Sequence, residues 1–555
     1  MRMGERSIFA LSCLVALSAC GGSGPKGQQP SWRNAPTTAT ASSQSAAPSE
    51  FIELLESETQ VSHYNNPPRT DAPSSALSIA ILDLLNEGSA AAGLAPPMPD
   101  GRLYQALTEL AEVAPLDTPP SYSLIEFAMQ RNGIIEPSPH LVIIQGSIDD
   151  PGPIIEQLQE SVADILTSGT YERVGIGAAR RGEVDMVLLA LQESNVTTKP
   201  IVREIPRGGS TSIEGTLGAG FNEPHAFHTD NAGKVHNMSV ARIGTAGFRT
   251  LFSCGEYVGR QQVEITAADT SGSTVLANFP IWCGMKAPRT MRVATGSNDP
   301  PPKTQAEAEE RMLVLVNKDR ANHGLAALAL DPRLTGIARL HSDEMLETGN
   351  VAHVSPRTGS AGDRVKAGGV RTAVILENVA RAYGVAEAEL GLMNSPGHRA
   401  NLLSTDVNHV GIGITLGKDV AGRRELLVTQ IFIHIPQPIT EATVRGKVEA
   451  KIKSIKAMSS SPELQTVAQV FASDLASGVT TDSASKRASK SLDTAGRGFA
   501  RVSTLVTTVA DVKAFDPTGS LGGAQVSHFG IGIAQGEHPV MGEGAIYIVV
   551  LLGQK

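Results

Sequence analysis

An apolar strand with glycine at alternate positions recurs three times along this 555-residue chain: Val174-Gly175-Ile176-Gly177, Val410-Gly411-Ile412-Gly413 and Phe529-Gly530-Ile531-Gly532. A polar turn and a second apolar run follow each copy: Met186–Leu191, Leu426–Ile433 and Ala545–Leu552. Two apolar runs joined by a polar turn read as a strand pair. The upstream sequence repeats as well. Leu85-Asn86 to Gly93-Leu94 parallels Val316-Asn317 to Gly324-Leu325, and Asp100-Gly101-Arg102-Leu103 parallels Asp331-Pro332-Arg333-Leu334. Ser461-Pro462-Glu463-Leu464 opens a helix in the same way, and Asp474–Gly478 then follows as Asp343–Gly349 does. Chance could give one match; several in one order argue for an array of related units.

A chain of this length exceeds a single core, so three or four domains are expected. A hydrophobic content of 41% and a charged content of 19% are ordinary for a soluble globular protein. The net charge of −9 and the aromatic content of only 4% argue against a nucleic-acid-binding surface.

The middle unit carries most of the chemistry. It holds Asn350-Val351-Ala352-His353-Val354-Ser355-Pro356, then Leu376-Glu377-Asn378-Val379-Ala380, then Ser395-Pro396-Gly397-His398-Arg399-Ala400-Asn401-Leu402-Leu403. Ser395 is a good helix N-cap and Pro396 a good first helical residue. That predicts His398 in the first turn, where the helix dipole favours neutral, metal-binding imidazole. Upstream, Asp331 caps a helix whose Leu334, Ile337, Ala338, His341 and Met345 form one stripe. His341 on that stripe reads as a hydrogen-bonded core histidine.

These blocks, in this order, resemble the bacterial branch of the CAP superfamily (cysteine-rich secretory proteins, antigen 5 and pathogenesis-related proteins; SCP domains). The resemblance covers roughly Thr304–His434. It implies an α-β-α sandwich with a cavity lined by two His and two acidic residues, the His pair able to bind zinc or another divalent cation. By motif, His353, Glu377 and His398 match three of the four cavity positions, with His353 and His398 as the metal pair. Where many relatives have Trp and then Glu three residues on, this chain has Leu392 and Ser395, and Leu376 replaces the usual Gly. Counting back from the strand valine by the His398 spacing gives Val162 in the first unit and Pro517 in the last. Those units therefore read as CAP-like folds without the site.

The expected fold class is multidomain α/β: an α-β-α sandwich CAP domain flanked by two degenerate CAP-like domains, plus a small antiparallel β-sandwich. Residues 1–20 read as a lipoprotein signal peptide, 21–74 as a disordered tether with a helical turn at Phe51–Leu55, and 75–200 as the first CAP-like domain. The β-sandwich takes 201–290, the CAP domain 304–436 and the last CAP-like domain 439–555. Within the last, Thr480–Val512 reads as helix with one solvated face. The apolar stretch Ile8–Leu17 is too short to span a bilayer, and Leu17-Ser18-Ala19-Cys20 resembles a lipobox. That implies lipidation of Cys20, export, and a membrane as partner, the outer membrane if the cell has one. In such a compartment Cys254 and Cys283 read as one disulfide rather than free thiols or a metal pair. His225, His228 and Asp230 cluster in the sandwich and read as a polar loop before a metal site. His140 reads as a surface or strand-edge histidine.

Two functions compete. One is a cell-envelope binding protein whose cavity takes a small molecule, lipid, peptide or glycan, with or without a divalent ion. The other is a metal-dependent hydrolase with Glu377 as general base. The first is favoured: two protein ligands hold zinc weakly, and no nucleophile motif or H-E-x-x-H occurs.

Overall fold

The computed structural model describes residues 13–15, 51–53, 61–64 and 74–555, apart from 117–118, 160–161, 168, 183, 295–298, 421–422 and 522–524. The lipobox Leu17–Cys20 lies outside the described residues. Of the expected signal segment, Cys13–Val15 is described, as a short strand running parallel to Thr504–Val506.

The first unit packs α1 (Ala76–Ala92) and α2 (Gly101–Val113) with a sheet of β1 (His140–Gln145), β2 (Arg173–Arg181) and β3 (Val184–Gln192). Met98–Pro99 pairs in parallel with β2, β2 with β3 and β3 with β1. Its α2 is capped by Asp100, whose carboxylate accepts from the Arg102 amide at 2.9 Å.

The two-sheet unit that follows contains β4 (Asn222–Thr229), β5 (Gly247–Ser253), β6 (Gly259–Asp269) and β7 (Gly272–Cys283). One sheet includes β7, β6 and β4, and the other includes β5. Phe248 and Phe252 of β5 meet Val263, Ile265, Phe279 and Ile281 in one core. Cys254 and Cys283 form a disulfide with a Cα–Cα distance of 5.5 Å. It joins the chain just after β5 to the end of β7, and so ties one sheet to the other. Closing a loop of this size contributes on the order of 3 kcal/mol.

In the middle unit, α3 (Gln305–Asn322) and α4 (Pro332–Thr348) precede the short α5 (Ala361–Ala367). Then come β8 (Ile375–Ala382), α6 (Val385–Asn394), α7 (Pro396–Leu402), β9 (His409–Val420) and β10 (Arg423–Ile433). Ala329–Leu330 pairs in parallel with β9, β9 with β10 and β10 with β8. The last unit holds α8 (Glu441–Ile455), α9 (Pro462–Ala476), α10 (Thr481–Ala495), β11 (Arg501–Val509), β12 (His528–His538) and β13 (Gly542–Gln554). Ser459–Ser460 pairs in parallel with β12, β12 with β13 and β13 with β11. These three sheets thus share one strand order.

The alternating glycines have a common packing role. A Cβ on Gly411 would lie 2.2 Å from Leu334 Cβ, and one on Gly413 would lie 2.2 Å from the Arg339 nitrogen. Gly175 and Gly177 meet Leu103 and Leu107 of α2 equally closely, and Gly530 and Gly532 meet Leu464 and Ala468 of α9. In each unit the capped helix lies with its backbone against the sheet, which a side chain at either position would prevent.

Three expectations are corrected. Thr480–Val512 is not one helix: α10 ends at Ala495, and Arg501–Val509 is the edge strand β11 paired with β13. The β-branched run Val502, Thr504, Val506, Thr507, Thr508 and Val509 favours strand over helix. Phe51–Glu53 is a strand paired with Arg292–Ala294 and not a helical turn. The end of the expected tether is docked: His63–Tyr64 pairs with Ile201–Val202, and Tyr64 is fully buried with its hydroxyl donating to the Pro280 carbonyl at 2.7 Å.

Candidate functional site

The three motif blocks of the middle unit meet where β8, α7 and the loop before α5 converge. His353 stands in that loop. Its backbone is fixed by the sandwich, where the Val354 amide donates to the Ser271 carbonyl at 2.8 Å. Gly272 presses on the same loop. It has φ +105°, and a Cβ there would lie 2.9 Å from the His353 Cβ. Ser355 organises the turn: its hydroxyl donates to Glu344 at 2.6 Å and accepts from the Arg357 and Thr358 amides at 2.9 Å each. It is therefore committed to the loop and makes no dyad with its sequence neighbour.

Glu377 lies on β8 and is almost wholly buried. His353 Nδ1 is 3.0 Å from one carboxylate oxygen, and Arg364 of α5 pairs with the other. Burial pushes the Glu377 carboxyl up, but His353 and Arg364 outweigh it and leave the group below its usual range. With its Nδ1 hydrogen spent on Glu377, His353 keeps Nε2 as its free ring nitrogen.

His398 sits at the third helical position of α7, and its ring is 6.4 Å from that of His353, tilted by 31°. Its pKa is depressed to about 3, first by burial and then by the neighbouring His353. Burial is the leading cause of this neutral form. The capping arrangement differs from expectation. Ser395 occupies the N-cap position without a side-chain cap bond. Its hydroxyl is bonded instead to Glu264 of β6 and lies 2.7 Å from His398 Nδ1. Glu264 accepts from the Gly397 amide at 2.8 Å, so the cap of α7 comes from the sandwich.

The remaining motif residues hold these elements in place. Asn401 donates to the Glu377 carbonyl at 3.0 Å and to Asn378 at 2.9 Å, and Asn378 bonds Gln430 at 3.0 Å. Arg399 reaches the Gly233 carbonyl of the sandwich at 3.0 Å. His341 is 2% exposed and bonds the Ala352 carbonyl at 2.8 Å, as its place on the apolar stripe predicts.

His398 and Ser395 also line a cavity of about 310 Å³ with mostly apolar walls. The first unit contributes Tyr122 and Tyr171, the sandwich Leu276, and the middle unit Val379 and Leu392. At this junction His140 of β1 is 2.7 Å from the Tyr383 hydroxyl, so it joins the first unit to the middle one.

The histidine pair offers a divalent cation two imidazoles at most, with ring centroids 6.4 Å apart. Among the described residues no group of three His, Cys, Asp or Glu side chains is arranged to hold a metal ion. His225, His228 and Asp230 form no such group either. His236 pairs with Asp230 at 2.8 Å, and His228 stacks on His236 and bonds Gln261 at 3.1 Å. Arg364, Ser395 in its bonding role and Glu264 were not reached from the sequence. Glu264 had one readable signal, a carboxylate between Val263 and Ile265 in an alternating strand. Its face points away from the sandwich core, and the middle unit covers that face.

Residues 313–432 match the family model for CAP, the cysteine-rich secretory protein family. The chain contains a CAP domain. The uncharacterized membrane protein YlbC of Bacillus subtilis is 40% identical over 114 residues, 20% of this chain and 33% of that protein. The uncharacterized protein YkwD of the same organism is 33% identical over 129 residues, 23% of this chain and 50% of that protein. The chain thus spans a third and a half of the lengths of these relatives. An extracellular protein containing a SCP domain from Bacillus anthracis is similar at 16% identity and a TM-score of 0.22, over 49% of this chain and 70% of that one. An outer surface protein from Borrelia burgdorferi is similar at 18% and 0.22, over 24% of this chain and 99% of that one. Among the described residues no helix is long and apolar enough to cross a membrane.

Proposed function

We propose that the protein is an exported, lipid-anchored binding protein of the cell envelope. Its CAP domain would hold a small ligand beside the His353–His398 pair, with zinc or another divalent cation on that pair. The flanking units would be CAP-like scaffolds without the site, since Val162 and Pro517 stand where the second histidine would be. Cys20 would carry the lipid.

The observation that carries the binding reading is the double engagement of Glu377. A general base needs a carboxylate oxygen free to take a proton from water. One Glu377 oxygen faces His353 and the other is paired with a buried Arg364, whose side chain is 4% exposed. The alternative hydrolase would rely on a carboxylate that these two partners hold as the anion below its usual range, which makes it a weak base. His398 opens instead on a half-open, mostly apolar cleft, the usual form of a small-ligand site. A bound zinc ion would supply Lewis acidity; the residues here would hold it through two imidazole Nε2 atoms, with Glu377 orienting the His353 ring.

The test is isothermal titration of the full chain with zinc, together with native mass spectrometry of protein isolated from its membrane. One weak zinc site is expected, lost in His353→Ala and in His398→Ala while the unfolding temperature changes little. A second site of equal affinity that survives both substitutions would move the metal elsewhere. Peptide- or glycan-hydrolysing activity lost in Glu377→Gln would favour the hydrolase.

A further inference from the structure

The β-sandwich touches the CAP domain at both histidines of the pair, through Ser271 beside His353 and through Glu264 beside Ser395 and His398. The second contact has a direction. Glu264 is fully buried, and its carboxylate accepts from the Gly397 amide with one oxygen and is bonded to the Ser395 hydroxyl with the other. A serine hydroxyl has one hydrogen to give. If the ionised carboxylate takes it, only a lone pair remains on Ser395 Oγ to face His398 Nδ1 at 2.7 Å. Nδ1 must then carry the imidazole proton, and Nε2 is left bare.

We infer that Glu264 of the sandwich is a positioning residue for the CAP cavity, fixing through Ser395 the His398 tautomer that leaves Nε2 free to bind a ligand or cation. This rests on the binding reading above for its purpose but not for its geometry. The site is then complete only when the two domains are docked, because the group that orients one of its two histidines belongs to the neighbouring domain.

Glu264→Gln tests the direction of the chain without changing its shape. The amide has one acceptor oxygen and one NH2 group. The Gly397 N–H claims the oxygen, so the NH2 faces Ser395 and donates to it. The hydroxyl then turns its hydrogen onto His398 Nδ1, and the imidazole proton moves to Nε2. The experiment is 15N-histidine NMR of the full-length protein at pH 8, where Glu264, pushed up to about 7 by burial, is ionised. The His398 signals are assigned by their loss in His398→Gln. The expected result is an Nδ1–H tautomer in the wild type, an Nε2–H tautomer in Glu264→Gln, and a zinc affinity at least tenfold lower in the variant. Glu256→Gln, at an exposed carboxylate of the same domain, should change neither. A His398 tautomer unaltered by Glu264→Gln overturns the inference, even if the domain interface loosens. Should that variant not fold, Ser395→Ala leaves the Glu264–Gly397 bond and removes the middle link. An undiminished Nδ1–H form there also overturns it, and a mixture of tautomers supports it. A wild type that binds no zinc but switches tautomer as described keeps the relay and removes the metal reading.

Discussion

Glu389 offers a sharp test of the CAP-domain core. It lies on α6 and is 2% exposed. One carboxylate oxygen accepts from Gln430 at 3.2 Å, and the other has no hydrogen-bond partner among the described residues. Burial and the nearby charge of Asp319 push its pKa from 4.5 up to about 8. The folded state therefore holds the proton more tightly than the unfolded chain does. Such a group contributes its stability in full below pH 4.5, and that contribution is lost as pH rises through about 8. At about 1.4 kcal/mol per unit, the loss is roughly 3 kcal/mol by pH 7 and on the order of 5 kcal/mol above pH 8. Glu389→Gln keeps an acceptor for Gln430 and cannot ionise. Thermal and urea unfolding of the full-length variant and wild type, compared from pH 5 to 9, should show nearly equal stability at pH 5. The variant should gain steadily above that. Asp319→Asn in the wild-type background should bring the folded pKa of Glu389 down, because a nearby negative charge no longer opposes ionisation, so the divergence should level off at lower pH and be smaller in total. A difference between variant and wild type that stays flat across this range would refute the argument.

Other outcomes follow from packing and from the expected anchor. Gly413→Ala would place a Cβ 2.2 Å from the Arg339 nitrogen and should destabilise by about 1–3 kcal/mol. Gly336→Ala, on α4 with nothing within 4 Å of its Cβ, should be neutral or stabilise by up to about 1 kcal/mol, and chemical denaturation of both variants checks the pair. Cys20→Ser should abolish acyl labelling and move the protein out of the membrane fraction; continued uptake of labelled fatty acid would remove the lipobox reading.

The parts of the fold legible in the sequence are those set by local pattern. The caps at Asp100, Asp331 and Ser461, the apolar stripe of α4 and the glycine-marked strands depend on residues close in the chain. The strand β11 is hidden by its lead-in: the Ser/Thr-rich stretch before it continues the solvated helix α10, although its own β-branched run favours strand and pairs with β13. The site divides in the same way. His353, Glu377 and His398 stand in recognisable blocks. Arg364 lies eleven residues beyond His353 in an unremarkable turn of helix, and Glu264 belongs to another domain altogether, so no spacing rule relates either of them to the histidines.

The repeated glycines and the cavity groups also answer to opposite energetics. A glycine pair lets a helix backbone approach a sheet and asks nothing of the cavity side chains, so a unit can keep this strand order with Val162 or Pro517 in place of a histidine. The cavity groups work against folding. Burial holds His398 uncharged down to about pH 3, raises Glu264 to about 7, and makes the Glu377 carboxylate depend on Arg364 and His353 to stay ionised. Each of these would be relieved by an apolar residue of similar size. Their concentration around one pair of imidazoles, at a contact between two domains, is what separates the middle unit from its neighbours. It locates the chemistry where the repeat itself cannot, since the repeat is common to all three units.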